Sequence, residues 1–103
     1  MILERAIFPI KPGSAKEFAA AFALARPHIE AARGFRKLEI RQGIESPDSF
    51  ILLVWWDSVD DHMKGFRESD AFGEFRKHLG PLFAGPPAME HYEETLQAAS
   101  GRP

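Results

Sequence analysis

The uncharged run Phe50-Ile51-Leu52-Leu53-Val54-Trp55-Trp56 constrains the fold more than any other part of the sequence. Its β-branched, aliphatic and aromatic residues are typical of a β-strand. Successive side chains of a strand point to opposite faces of the sheet, so the run divides into two apolar sets. These sets are Phe50, Leu52, Val54 and Trp56 on one face, and Ile51, Leu53 and Trp55 on the other. Both faces of the strand therefore have to be removed from water.

The length and composition allow one domain with one core. The chain has 103 residues, of which 45% are hydrophobic and 12% aromatic. This is close to the usual size of a single globular domain, and a second domain would have no core of its own. We therefore expect a single domain over residues 1–103, with an ordered core over residues 1–96 and a frayed tail over residues 97–103.

Charge and cysteine content exclude several functional classes. The net charge of −2 provides no positive field to hold a nucleic acid, and the absence of cysteine excludes disulfides and thiolate catalysis. The first residues carry charge where a signal peptide needs an apolar stretch, and no apolar run is long enough to span a bilayer. We expect a cytoplasmic protein with neither a nucleic-acid nor a membrane partner.

Turn residues and apolar periodicity divide the chain into four strands and two helices. Strands are predicted over residues 2–10, 35–45, 49–57 and 88–96, with one helix between the first pair and one between the last pair. Ser46-Pro47-Asp48 has the residue order of a type I turn and joins the middle strands as a hairpin. The order βαββαβ predicts a ferredoxin-like α+β fold: an antiparallel sheet with strands one and three at its centre and both helices on one face.

Helix one is predicted to begin at Ser14, because Ser14 and Glu17 have the spacing of a capping box. Apolar residues follow at three- and four-residue spacing. Pro27 removes one backbone hydrogen bond and is expected to bend the helix, while Gly34 suits a left-handed residue at its C-terminal end.

Helix two is predicted in two parts. Ser58 and Asp61 cap the first part. Its inner side carries Val59, Met63 and Phe66. The helix is re-initiated around residues 68–70, because the next apolar stripe has a different register. That stripe consists of Phe72, Phe75, Leu79 and Phe83. Gly80-Pro81 weakens the end of the helix, and Pro86-Pro87 favours an edge position for the last strand.

The two helices can cover only one of the two apolar faces of strand three. An exposed second face would form a larger apolar patch than monomers normally tolerate, and the same face of a second copy is the simplest cover. The alternative cover is the tail Gln97-Ala98-Ala99-Ser100-Gly101, which lacks bulk. We therefore predict a homodimer through the sheet face, with Trp55 and Trp56 in opposite environments, one in the core and one at the subunit contact.

Several segments spread along the chain carry a family pattern. They are Ile2-Leu3-Glu4 through Lys11-Pro12-Gly13, Trp56-Asp57-Ser58, Asp61-His62-x-x-Gly65-Phe66-Arg67-x-Ser69, Phe72-x-x-Phe75-Arg76 and Pro87-x-x-Glu90-His91-Tyr92. Together they resemble the antibiotic biosynthesis monooxygenase family over nearly the whole chain. The resemblance implies a dimeric α+β barrel, in which the ferredoxin-like sheet packs against its copy. The family contains cofactor-free quinol and polyketide monooxygenases as well as haem-degrading enzymes.

The haem-degrading branch can be compared position by position. Its pocket uses an asparagine in strand one, a tryptophan in the first part of helix two and an iron-ligating histidine in the second part. Alignment on the loop before helix one and the tryptophan of strand three places Ala6, Phe66 and Arg76 at these positions. The resemblance therefore favours the cofactor-free activities over haem degradation.

His62 is the leading candidate for a catalytic residue. It lies three residues after Val59 and four before Phe66, so it shares their inward side of the helix. An imidazole with a pKa near about 6.5 can take or give a proton at working pH. The alternative is that His62 merely bonds a backbone carbonyl in the core, and the sequence gives both interpretations equal weight.

The remaining candidates are one arginine, three aromatic residues and a second histidine. Arg76 lies on the flank of the second stripe, where it could stabilise an enolate or phenolate, or bury only its stem and keep its charge in water. Phe66, Trp56 and Phe72 are candidate apolar contacts for a substrate, although such aromatics are usually core. His91 is a further candidate, but the sequence does not say which face of strand four meets a pocket.

Metal binding finds little support in the sequence. No two histidines have a metal-ligand spacing, so we expect no metal site. The resemblance implies a monooxygenase that needs no cofactor and oxidises a quinol or a phenolic, polyketide-like small aromatic, with His62 as the base and Arg76 as the anion stabiliser. The competing hypothesis is a non-catalytic dimer that binds small molecules or responds to stress.

Overall fold

The computed structural model describes residues 1–102 and has the predicted βαββαβ order. The strands are β1 (Ile2–Pro9), β2 (Phe35–Gln42), β3 (Ser49–Trp56) and β4 (Ala88–Tyr92). The helices are α1 (Ala15–Glu30) and α2 (Asp70–Leu79), with a π-helix (Asp61–Phe66) before α2 and a 3₁₀ turn (Gly80–Leu82) after it. Residues 97–102 of the predicted tail contain no helix or strand, and Pro103 lies outside the described residues.

The four strands form one antiparallel sheet in the order β2-β3-β1-β4. The prediction that strands one and three are central is therefore confirmed, and β4 occupies an edge. In the register of the sheet, Glu4 of β1 lies between Val54 of β3 and His91 of β4. This row of three residues brings a carboxylate and an imidazole to the same end of the sheet.

One face of the sheet carries the hydrophobic core. Alternate residues of the central strands are buried there and pack against α1 and α2, which also pack against each other. The strand contribution consists of Ala6, Phe8, Phe50, Leu52, Val54 and Trp56, and the helix contribution of Phe18, Phe22, Ala25, Ile29, Phe75 and Leu79. Both helices thus cover the same face, as the fold class predicts. No helix within residues 1–102 is both long and apolar enough to cross a membrane.

The adjacent tryptophans of β3 confirm the predicted alternation. Trp56 is 0% exposed and packs in the core. Trp55 is half-buried on the opposite face, where the Lys37 Nζ lies 4.8 Å from the centre of its ring. The open face therefore carries large apolar side chains in a single chain.

The capping box predicted at the start of α1 is wrong. Ser14 has φ −99° and ψ 17°, and its side chain makes no capping hydrogen bond. Its hydroxyl instead donates to the carbonyl of Lys11 at 2.6 Å, within the turn that follows β1. The turn thus competes with the helix for the hydroxyl.

All four strands end earlier than predicted, β1 and β3 by one residue and β2 and β4 by more. β2 ends at Gln42, where the Gly43 amide donates to Ser49 and closes the hairpin loop. β4 ends at Tyr92 rather than at residue 96, because Tyr92 already pairs with Leu3 and β1 begins only one residue earlier. β1 therefore has too few residues left to form strand hydrogen bonds with residues 93–96.

The turn between α1 and β2 confirms the predicted left-handed conformation of Gly34 but not its predicted place at the helix end, because α1 ends at Glu30 with Ala31 as its C-cap. Gly34 has φ +85°, a conformation that side chains disfavour. A Cβ atom there would also collide with the Asp61 carboxylate. Pro27 lies within α1, which continues to Glu30.

Candidate functional site

The segment that precedes α2 is a π-helix rather than the predicted α-helix. The Arg67 amide donates to the carbonyl of His62 at 2.8 Å, the five-residue spacing of a π-turn. Ser58 begins the segment as predicted, because its hydroxyl accepts from the Asp61 amide at 3.1 Å. The altered register leaves Val59 39% exposed, so its predicted inward position is wrong, whereas His62 and Phe66 are both buried.

The second part of the segment begins where the sequence predicts it. Ser69 is the N-cap of α2, and its hydroxyl accepts a hydrogen bond from the Phe72 amide at 3.4 Å. Its hydroxyl also donates to the Phe66 carbonyl at 2.6 Å. Ser69 therefore joins the end of the π-helix to the start of α2 and fixes the angle between Phe66 and Phe72, whose rings meet edge to face at 5.5 Å.

A cavity of about 270 Å³ lies between the sheet and these helices. Most of its surface is apolar. The main apolar contributors are Ala6, Phe8, Leu52, Phe66, Phe75 and Met89. Four residues with ionisable side chains also line it, namely Glu4, His62, Arg67 and Arg76. The arginines are exposed whereas Glu4 and His62 are buried, so positive charge lies at the solvent side of the cavity and the carboxylate and imidazole at its inner end.

Glu4 is a buried carboxylate that the sequence interpretation missed. It is 4% exposed, and the Trp56 Nε1–H donates to its Oε1 at 3.0 Å. Burial raises the pKa of Glu4 to about 7, against the opposing effects of the Trp56 hydrogen bond and the Arg67 charge. The carboxyl group is therefore divided between its neutral and ionised forms near neutral pH.

His62 connects Glu4 to the edge of the sheet. Its Nε2 lies 3.4 Å from Glu4 Oε1, and its Nδ1 lies 2.8 Å from His91 Nε2. Its ring stacks on Trp56 with the ring centres 5.2 Å apart. Burial, followed by the charges of His91 and Arg67, lowers the pKa of His62 to about 4. The ring is therefore neutral at neutral pH, and its partners are side chains rather than the backbone carbonyl of the alternative interpretation.

The structure brings most of the sequence candidates to one cavity. His62, Phe66, Phe72 and Arg76 all line it. Trp56 and His91 do not line it. Both touch His62 instead, Trp56 by stacking and His91 through the hydrogen bond between the rings.

Arg67 is a second residue that sequence reasoning missed. It lines the cavity, and its guanidinium carbon lies 5.3 Å from the centre of the Phe72 ring. Its charge lowers the pKa values of Glu4, His62 and His91, although burial is the larger cause of the shift in each case. Arg67 therefore contributes positive potential at all three members of the inner cluster.

Glu4, His62 and His91 form a linear series of contacts rather than a chelate, in which His62 and His91 share a hydrogen bond and Glu4 lies 3.4 Å from His62. His62 directs different ring nitrogens to its two neighbours, so no single point is available to all three groups. No cluster of three potential metal ligands occurs within residues 1–102.

Haem fits the cavity poorly. The position of the iron ligand in haem-degrading relatives carries Arg76, whose permanently protonated guanidinium cannot ligate iron. The histidine that does line the cavity, His62, faces Glu4 and His91 with its two ring nitrogens. Neither residue is placed to serve as an axial ligand.

Comparison with known proteins agrees with this architecture. The family model for antibiotic biosynthesis monooxygenases matches residues 1–78. The chain is 32% identical over 94 residues to the uncharacterized protein YczJ of Bacillus subtilis, covering 91% of this chain and 99% of that protein. A crystal structure from Bordetella bronchiseptica, assigned to the same family, is 40% identical with a TM-score of 0.88, covering 92% of this chain and 97% of the other.

A more distant structure shares the fold alone. SnoaB, a cofactor-independent oxygenase from Streptomyces nogalater, superposes with a TM-score of 0.77 at 16% identity, covering 94% of this chain and 97% of its own. The match of the family model over most of the chain and the 40% identical structure decide the assignment. This chain belongs to the antibiotic biosynthesis monooxygenase family.

Proposed function

We propose that this protein is a cofactor-independent monooxygenase that oxidises a quinol or a related phenol. The observation that carries the proposal is the buried pair of Glu4 and His62 at the inner end of an otherwise apolar cavity. A carboxyl group with a pKa of about 7 beside a neutral imidazole can take up the proton of a bound hydroxyl group. The family model is that of monooxygenases, and SnoaB, which shares the fold, is a cofactor-independent oxygenase.

The proposed reaction needs no external reductant. Loss of the hydroxyl proton turns the phenol into an electron-rich anion, which passes one electron to dioxygen. Recombination of the two radicals forms a carbon–oxygen bond at a ring carbon and gives a peroxide. The peroxide takes up a proton, its O–O bond breaks as the ring C–H proton leaves, and water is released. One oxygen atom stays as a carbonyl group, and the two hydrogens lost by the substrate end in the water molecule.

The two ends of the cavity have different roles in the proposed reaction. Glu4 and His62 form the base, with His62 kept neutral by its lowered pKa. Arg76 and Arg67 lie at the solvent side, where their charges stabilise the substrate anion across the cavity. The aromatic and aliphatic residues between the two ends exclude water, which strengthens these electrostatic effects.

The size of the cavity limits the substrate. An engineered cavity of about 150 Å³ holds benzene. The cavity of about 270 Å³ is less than twice as large, which favours a substrate of one or two rings over the larger polyketides. A one- or two-ring phenol can place its hydroxyl group at Glu4 and its rings among Phe66, Phe72 and Phe75.

We further propose that the protein works as a homodimer through the open face of the sheet. Ile51, Leu53 and Trp55 lie on that face beside Leu3 and Ile7. Charged residues of β2, among them Lys37 and Glu39, flank this apolar strip on one side. On the other side Arg5, which lies between Leu3 and Ile7 on β1, forms an ion pair with Glu90 of β4. Two copies related by a twofold axis can bury the strip and pair these charges.

Dioxygen consumption tests the proposed activity. The wild-type protein, treated with a chelator, is expected to consume dioxygen with 1-naphthol, and His62→Ala is expected to abolish consumption. The matched control is His78→Gln, since His78 stacks on His28 and does not line the cavity. Binding of 1-naphthol without dioxygen consumption by the wild type would contradict the proposal and favour a binding protein.

A further inference from the structure

We propose that Glu4, His62 and His91 form a proton path that connects the inner end of the cavity with solvent at the β4 edge of the sheet. The proposal deepens the proposed function and rests on it, because the proton in question is that of the substrate hydroxyl group. It assigns His91 a role as the outer group of the path, although His91 itself does not line the cavity.

The geometry forms a continuous sequence of contacts. Glu4 lines the cavity, its Oε1 lies 3.4 Å from His62 Nε2, and His62 Nδ1 lies 2.8 Å from His91 Nε2. His91 is partly exposed on the edge strand, so its Nδ1 is the last atom before solvent. The register of the sheet holds the two ends together, because Glu4 and His91 are directly paired across β1 and β4.

The two oxygens of Glu4 have different surroundings. Oε1 accepts from Trp56 and faces His62, whereas Oε2 has no hydrogen-bond partner within residues 1–102. A substrate hydroxyl in the cavity can therefore meet Oε2 while Oε1 stays in contact with the imidazole. A carboxyl group used in this way passes a proton through by taking one on one oxygen and releasing one from the other.

One proton enters the path from the substrate hydroxyl, and one proton leaves it to water. It starts with a neutral Glu4 protonated on Oε1, and with both imidazoles neutral and protonated on Nδ1. The substrate hydroxyl gives its proton to Oε2, Oε1 passes its proton to His62 Nε2, His62 Nδ1 passes its proton to His91 Nε2, and His91 Nδ1 releases a proton to water. The phenolate remains in the cavity, and both rings end as the Nε2–H tautomer.

A second proton resets the path. Glu4 gives the proton on Oε2 to the peroxide, and a proton taken from solvent at His91 Nδ1 moves inward and restores the first tautomers. The starting forms agree with the pKa values, since burial raises the pKa of Glu4 to about 7 and lowers that of His62 to about 4. The charged group that faces all three members is Arg67, and Trp56 is the other hydrogen-bonding group at Glu4.

Nitrogen-15 NMR of the full chain tests the path without any ligand. In the wild type, the ring nitrogens of His62 and His91 are expected to change tautomer together as Glu4 titrates across neutral pH. Glu4→Gln is expected to abolish this joint change, and His78→Gln to leave it intact. If His91 has the same nitrogen shifts in Glu4→Gln as in the wild type at every pH, the two ends are uncoupled and the proposal is wrong.

Anaerobic stopped-flow absorbance measures the transfer itself. With 4-nitrophenol as the probe, His91→Gln is expected to slow the appearance of the bound phenolate at least tenfold while leaving the dissociation constant unchanged. Added imidazole is expected to restore the rate in His91→Gln and to leave the wild type unaffected. A wild-type rate in His91→Gln, or a slow rate that imidazole does not restore, would overturn the proposal.

The two proposals fail in different ways. The NMR experiment contains no substrate and the stopped-flow experiment contains no dioxygen, so both report on proton transfer alone. A wild-type protein that shows the joint tautomer change but consumes no dioxygen with phenols would remove the proposed oxygenase and leave the path in place. A protein that consumes dioxygen without the tautomer coupling would keep the oxygenase and remove the path.

Discussion

The two faces of the sheet are formed by the same strands but differ in how completely their apolar side chains are buried. On the helix-covered face, Leu52, Val54 and Trp56 are at most 1% exposed. On the open face, Ile51, Leu53 and Trp55 remain half-buried in the single chain. The covered face is thus complete within one chain, whereas the open face has apolar surface left to bury.

The two faces also differ in the burial and the partners of their charged side chains. On the open face, charged side chains pair with one another at the surface, as Lys37 and Arg41 do with Glu39. Such pairs contribute little to stability. On the covered face, Glu4 is buried without an ion pair to a lysine or arginine within residues 1–102, and its partners are Trp56 and His62. The two faces thus differ in that the ionisable group of the covered face is buried beside a cavity, whereas the charges of the open face are paired at the surface.

The largest expected effect separates the two tryptophans. Trp56→Ala is expected to lower the free energy of unfolding by about 3–5 kcal/mol, because it empties a fully buried site and removes the hydrogen bond to Glu4. Trp55→Ala is expected to cost less than half as much in the isolated chain. Urea denaturation at low protein concentration measures both, and equal losses would contradict the difference between the faces.

The second prediction concerns the open face alone. Leu53→Glu places a charge in the centre of the apolar strip and is expected to convert the dimer into a monomer with the same circular dichroism spectrum. Leu24→Glu is the matched control, because Leu24 is exposed on α1 and lies outside the strip. Sedimentation equilibrium gives the masses. A wild-type mass of one chain at micromolar concentration would disprove the dimer.

The third prediction uses the pH dependence of stability on the covered face. The raised pKa of Glu4 means that its contribution to stability is full below pH 4.5 and is lost as the pH rises through about 7, a loss on the order of 3 kcal/mol. Glu4→Gln removes this loss, so the variant is expected to gain stability over the wild type as the pH rises from 4.5 to 8. Glu90→Gln on the open face is the control and is expected to show no such gain.

The same titration contains a contribution of opposite sign. The lowered pKa of His62 means that its contribution is present above pH 6.5 and is lost as the pH falls through about 4. In the wild type the two trends oppose each other between pH 4.5 and 6.5, and Glu4→Gln leaves only that of His62. Chemical denaturation across this range checks the result, and a Glu4→Gln profile parallel to that of the wild type would contradict it.

The smallest expected effect concerns the arginines. Arg76→Gln is expected to weaken the binding of a phenolate about tenfold, because it removes one positive charge from the solvent side of the cavity. Arg41→Gln on the open face removes the same charge at a site away from the cavity and is expected to have no effect. Titration with 4-nitrophenol above its pKa measures the dissociation constants. Equal affinities would remove Arg76 from the site.

The fold was predictable because its signals are local and repeated. The breakers between elements give the order βαββαβ, which predicts β1 and β3 at the centre of the sheet, and the cap at Ser69 marks the start of α2. The length of β4 was not predictable from its own residues, because the strand ends where its partner β1 runs out.

The site was predictable only in part. His62 and Phe66 were found because their four-residue spacing survives in a π-helix, whereas Val59 was misplaced because the same π-helix changes the register before them. Glu4 was missed although a signal exists. It shares the alternation of Ala6 and Phe8 on β1, so a carboxylate on the covered face could have been inferred from the phase of that strand.

The central claim is that the covered face carries an oxygenase site, and labelled dioxygen tests it most directly. The wild type is incubated with 1-naphthol and ¹⁸O₂, and the product and water are analysed by mass spectrometry at short times. We expect one ¹⁸O atom in each molecule of 1,4-naphthoquinone and one in water, at a rate that His62→Ala abolishes and His78→Gln preserves. Unlabelled product, or equal rates in the wild type and His62→Ala, would contradict it.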